Sequence, residues 1–150
     1  MNFTGQASST TSPLGIDVTT SADMQSASKS IASAPFSTNA ANELLLAFVQ
    51  TDYLSGANTT VSNVTGGGLN WALVGRTNVQ SGDSEIWRAF APAPLSNITV
   101  TANLSQSVVS SLTVISFTGV DTTGTNGSGA IGAIRSASAA SGAPSATQVI

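Results

Sequence analysis

From Asn42 to Val120 the chain repeats one pattern: a short β-favouring run, then residues that start turns or tolerate positive φ. The runs read NELLLAFVQTDY, TTVSNVTG, LNWALVGRT, SEIWRAFAP, SNITVTANL and SVVSSLTVISFTGV, with SGAN, TGGG, QSGD and APAPLSN among the breaks. Turn chemistry about every ten residues favours strands and leaves little room for helices. The longest apolar run, Leu44 to Val49, has the length and composition of a central strand covered on both faces. NITVTANL alternates, with Ile98, Val100, Ala102 and Leu104 on one side and Thr99, Thr101 and Asn103 on the other, so one face is buried and one is wet. A sheet with one apolar face can hide it only against another layer. The expected fold is therefore all-β, a two-sheet antiparallel β-sandwich of immunoglobulin-like or jelly-roll-like kind.

Three regions follow. Residues 1–30 read as a loosely structured lead-in with one or two short edge strands, and 31–120 as the sandwich core. Residues 121–150 have no aromatic residue and are dominated by Gly, Ser and Ala, which reads as a surface excursion or linker. The closing ATQVI looks like the start of a further strand, one that could pair with a neighbouring subunit by strand addition.

Charge narrows the partners. Only 7% of the 150 residues are charged, and the net charge is -3. The four basic residues, at 29, 76, 88 and 135, are too few and too scattered to neutralise phosphates, which argues against nucleic acid and against an anionic membrane surface. No apolar stretch approaches the roughly 20 residues of a membrane helix, so no membrane insertion is expected. A surface solvated by hydroxyls and amides suits an extracellular, cell-surface or virion protein. The opening MNFTGQASSTTSPLG lacks the basic and apolar regions of a signal peptide, as expected of virion proteins, which assemble inside a cell.

NELLLAFVQTD, GGGLNWALVGRTNVQSGDSEIWRAFAPAPLSNITVTANLS and SLTVISFTGV, together spanning roughly residues 36 to 120, resemble a β-sandwich module repeated in bacterial secreted and cell-surface proteins and in some phage structural proteins. The resemblance implies a usually non-catalytic module, often beside carbohydrate-active or adhesive domains. Its motifs concern packing, so it transfers no site residue.

The chain has no histidine and no cysteine, which rules out Ser-His-Asp and Cys-His nucleophiles, ordinary zinc sites and disulfides. No catalytic residue is assigned and no cofactor is expected. Asp83 and Glu85 are the one close pair of acids, and with Asp52 they are what a small glycosidase would have to use. The plainer reading is a turn acid and a cross-strand partner for Arg76. SASK at 26–29 matches S-x-x-K, as almost any lysine in so serine-rich a chain would. Asp121 and Asn126 in DTTGTNGSG could offer oxygens to calcium, although an ordinary polar loop accounts for them as well. Six Asn-x-Ser/Thr acceptors, at Asn2, Asn58, Asn63, Asn97, Asn103 and Asn126, are what such a composition produces by chance.

Both tryptophans fall in one predicted hairpin. If Thr77 opposes Ser84, then Arg76 opposes Glu85, Val74 opposes Trp87 and Trp71 opposes Phe90. That register puts Trp71 in the core with Leu69, Leu73, Ile86 and Phe90, and Trp87 outside beside Arg76 and Glu85; a slip of one residue puts Trp71 and Trp87 on the same inner face instead. Core packing is the ordinary use of such residues. If a ligand platform exists, it consists of Trp87 and Tyr53 with Arg76 and Glu85, the ligand being a glycan. The expected function is a non-catalytic extracellular or particle-surface module for adhesion, assembly or glycan attachment. The partner would be a glycan or a protein surface. The alternatives are a phage decoration, fibre or filament subunit forming homo-oligomers by strand addition, and the carboxylate-dependent glycosidase.

Overall fold

A computed structural model describes residues 12–139 and 144–148. Eight strands follow in order: β1 (Gly15–Asp23), β2 (Ser28–Ala32), β3 (Glu43–Thr51), β4 (Val61–Thr65), β5 (Ala72–Thr77), β6 (Asp83–Ala91), β7 (Thr101–Val108) and β8 (Ser110–Thr118). A single 3-10 turn at Ser128–Ala130 is the helical element among the described residues. The strands form a five-stranded sheet of order β1-β8-β3-β6-β5 and a three-stranded sheet of order β2-β7-β4, with every pairing antiparallel. The chain is an antiparallel two-sheet β-sandwich.

The runs from NELLLAFVQ through SEIWRAFAP became β3 to β6 near their expected places, whereas SNITVTANL is strand only from Thr101 and SVVSSLTVISFTGV is divided between the end of β7 and β8. β3 is the centre of the large sheet. Leu45, Ala47 and Val49 point to the interior and are fully buried, as are Ala89 and Leu112 from the strands beside it. The small sheet answers with Ile31, Val61, Val64, Val100, Ala102 and Leu104, and these side chains together make one core. Before residue 31 the chain supplies β1, an edge of the large sheet, and the start of β2, an edge of the small one, where one or two edge strands were expected. Residues 1–11, with the signal-peptide reading and Asn2, lie outside the described residues.

The Gly/Ser/Ala-rich segment after β8 is not a free linker. Around Asn126 and Gly127 it packs over the outer face of the large sheet at Leu44 on β3 and at Arg88 and Phe90 on β6. Gly127 is the closest point of this cover: a Cβ there would come within 2.7 Å of Leu44 Cδ1 and 3.4 Å of Phe90 Cβ, and its φ of 75° already favours glycine. Further along, Ile134 Cγ2 lies within 3.3 Å of where a Cβ on Gly75 would be. The expected closing strand does not form over residues 144–148, and Val149 and Ile150 lie outside the described residues.

Gly127→Ala is expected to lower stability by about 1–2 kcal/mol in denaturant unfolding, combining positive-φ strain with a tight approach to Leu44. Gly56→Ala, at φ 71° with open space around it, should lose no more than about 1 kcal/mol.

Candidate functional site

Along β6 every second residue faces the interior: Asp83, Glu85, Trp87, Ala89 and Ala91 are all buried. Trp87 thus takes the core role that is ordinary for such a residue, and the outer placement beside Arg76 and Glu85 does not hold. The register near the turn is as expected, Thr77 opposite Ser84 and Arg76 opposite Glu85, but a bulge at Val74 sets Leu73 rather than Val74 opposite Trp87. The expectation also put the wrong face of β6 inside. Ile86 and Phe90 made the other face look like the core side, yet at Phe90 that face is covered by the C-terminal segment instead. Trp71 does not pair with Phe90. It precedes β5, half-buried against the core, with its indole N–H donating to the Gly66 carbonyl at 3.2 Å.

Glu85 is completely buried and accepts hydrogen bonds from three directions. Arg76 Nε on β5 donates to its Oε1 at 2.6 Å, the Val61 backbone N–H of β4 donates to the same oxygen at 2.8 Å, and Trp87 Nε1 donates to Oε2 at 2.7 Å. Arg76, whose side chain is 33% exposed, also donates to the Val61 carbonyl at 3.1 Å. β4 and β5 are neighbouring edges of different sheets, with no main-chain ladder between them. Arg76 and Glu85 satisfy both main-chain groups of Val61, as a paired strand would. Two more contacts lengthen this seam: Asn58 Nδ2 donates to the Asn78 carbonyl, and Asn78 Nδ2 donates to the Thr59 carbonyl at 3.5 Å.

Asp83, two residues before Glu85 on the same face, is 6% exposed, and no other side chain donates a hydrogen bond to its carboxyl oxygens among the described residues. Burial, followed by its nearness to Glu85, pushes its pKa up to about 8, so it is largely protonated at neutral pH. Glu85 goes the other way. Its burial is outweighed by hydrogen bonds from Asp83, Arg76, Val61 and Trp87, which together hold it below the usual carboxylate range. The pair thus carries one proton and one negative charge, balanced by Arg76. A third buried acid, Glu43, sits at the opposite end of β3. There desolvation raises its pKa although Ala40 N–H donates to Oε1 at 2.9 Å.

The remaining expected site residues do not join this cluster. Tyr53 is half-buried in the loop after β3, and its hydroxyl donates to the Gly56 carbonyl at 3.2 Å. That loop is tied down by Gln106, whose Nε2 donates to the Ser55 and Ala57 carbonyls at 2.8 and 2.7 Å. Asp52 accepts from the Tyr53 N–H at 2.7 Å and lines a shallow groove with Asp23, Gln50 and Ser110. Asp121 is exposed and accepts from Thr123 N–H at 2.8 Å, a bond that lowers its pKa. It lines a groove of about 600 Å³ with Asn42 and Thr122, whereas Asn126 lines a different one of about 430 Å³ with Asn70 and Phe90. The Asn126 amide holds the C-terminal segment in place: Oδ1 accepts from Phe90 N–H at 3.3 Å and Nδ2 donates to the Asn70 carbonyl. Among the described residues no three of His, Cys, Asp or Glu gather as a metal-binding group, and no helix is long and apolar enough to cross a membrane.

Sequence reasoning found the Arg76–Glu85 pair but missed Val61, which takes part through its backbone, and Asn58 and Asn78, whose types are common throughout the chain. Comparison with family models, with curated proteins and with solved structures finds no match.

Two variants probe these roles. Glu85→Ala leaves the Val61 N–H, the Trp87 N–H and Arg76 without their acceptor and should lower stability by about 3–5 kcal/mol, while Trp87→Ala should lose a similar amount through the cavity it leaves. The pH dependence has a definite sign. The raised Asp83 pKa contributes stability that is full below its unfolded value of 3.8 and is lost as pH rises through about 8. The melting temperature should fall from about pH 4 to about pH 8 and level off above that, and Asp83→Asn should flatten the fall.

Proposed function

We propose that the chain is a non-catalytic structural module of an extracellular or particle-surface assembly, working through protein contacts. One observation carries this reading: the strongly perturbed ionisable groups, Asp83, Glu85 and Arg76, cluster where the sandwich closes, and neither buried acid lines the grooves at Asp121, Asp52 or Asn126. A glycosidase needs two carboxyls facing each other across an open cleft, and this pair faces the core. Glycan attachment loses its expected platform as well, since Trp87 packs inside and the Tyr53 hydroxyl is bonded within its own loop.

The strand order supports the jelly-roll form of the sandwich over the immunoglobulin form. An immunoglobulin sheet of order ABED would place β1 beside β2, but here they belong to different sheets. Eight strands wound as two Greek keys give β1-β8-β3-β6 facing β2-β7-β4-β5, and this chain differs only in that β5 has moved beside β6. Jelly rolls serve as capsid and lectin domains, and a hydroxyl-rich, lysine-poor exterior suits the first use.

Light scattering and negative-stain electron microscopy of the purified chain test the proposal. Concentration-dependent association into regular oligomers or filaments is expected, with no turnover of glycoside substrates. A strictly monodisperse monomer that binds a defined sugar on a glycan array would replace it with a lectin-like reading.

A further inference from the structure

The Asp83–Glu85 pair sits at a seam of the sandwich that is closed by side chains instead of a main-chain ladder. Asp83 faces Glu85 on its own strand and Arg76 on β5; β3 presents Thr51 and Val49 opposite the two acids, β8 presents Ser110 beyond Thr51, and β4 presents Val61. Arg76 is the sole cation in this set. With Asp83 neutral, its O–H can donate to Glu85, and the three ionisable groups sum to zero charge. Loss of that proton to solvent leaves two carboxylates sharing one guanidinium, a net negative charge in a place shielded from water. Such a charge is relieved most easily by letting water in. The weakest wall is the seam itself, because Arg76 is already one-third exposed and no ladder joins β4 to β5.

We propose that the β4–β5 seam is a proton-locked latch: the proton shared by Asp83 and Glu85 keeps Val61 bonded to Arg76 and Glu85, and its loss parts the start of β4 from β5 while the rest of the sandwich stays folded. The opened edge would expose the main-chain groups of Val61 and the flanking carbonyls of Thr59 and Asn78, which side chains cover in the closed form.

Trp87 supplies a built-in reporter, since its indole N–H donates to Glu85. In a Trp71→Phe background, Trp87 emission should shift to the red with a single midpoint near pH 8, in a titration from about pH 6 to about pH 9.5, which stays below the ordinary Tyr and Lys range. Hydrogen exchange on the chain with both tryptophans gives the second reading: protection of the Val61 amide should fall at least tenfold more than that of the β3 core amides over the same range. Asp83→Asn, which keeps a donor toward Glu85 and cannot ionise, should abolish both changes. Far-UV circular dichroism should stay constant throughout. A folded chain with no change at Trp87 or Val61, a transition that survives Asp83→Asn, or a transition that coincides with loss of all β-structure would each overturn the proposal. So would suppression of the opening by millimolar calcium, which would assign the pair to a metal.

Discussion

The closure of this sandwich depends on one carboxylate taken entirely out of water. A buried charge is costly unless every lone pair is met, and Glu85 meets that condition with donors from β4, β5 and its own strand. Its partners follow from its position. Val61 is an edge residue with a free N–H and C=O, Arg76 is long enough to cross from the other sheet, and Trp87 turns a large apolar body with one polar atom toward the same place. Of the three contacts, the one from Val61 joins elements that no ladder joins, β4 of the small sheet and β6 of the large one. A chain with so few charges has committed three of its seven acids, Glu43, Asp83 and Glu85, to the interior.

The fold was legible in the sequence where local and global signals agreed. The alternation of NITVTANL put Val100, Ala102 and Leu104 inside, and LLLAFV became the central strand, because in both places one choice of face satisfied pattern and packing alike. β6 was harder. Its two faces are DEWAA and SIRF, and hydrophobicity alone favours the second, because the first carries two acids. What decides the matter is non-local: the Gly/Ser/Ala-rich segment covers Phe90, and Arg76 with Val61 makes Glu85 tolerable inside. The bulge at Val74 is equally invisible to a register counted outward from the turn, since one extra residue changes every pairing beyond it.

The C-terminal segment shows why composition misleads about linkers. Small residues give little side-chain area, yet they let a backbone lie close to a sheet, and Gly127 sits where any side chain would strike Leu44. Asn126 beside it, with φ 53°, bonds Phe90, Asn70 and, through its carbonyl, Arg88. A residue type expected in a turn or at a metal site serves as a peg instead. The same oxygen-rich chemistry that suggested calcium is satisfied by backbone N–H groups, which are always nearby in a folded loop.

An ion pair inside a sandwich is rarely the most stable choice, since well-packed apolar groups of the same volume often do as well or better. Its advantage here lies in selection among arrangements. β5 could have paired with β4 and completed a four-stranded small sheet, and in that arrangement the Val61 main-chain groups would bond to β5 directly and leave Arg76 and Glu85 without their role. Because Glu85 must be met, the pairing that sets Arg76 opposite it is favoured, and β5 is held at the edge of the large sheet. A one-residue slip of the hairpin would turn Arg76 away and leave Glu85 buried with an unmet charge, a far larger loss than moving an apolar side chain by one place. The polar cluster therefore acts as a register mark for the one hairpin whose hydrophobic pattern alone favours the other face.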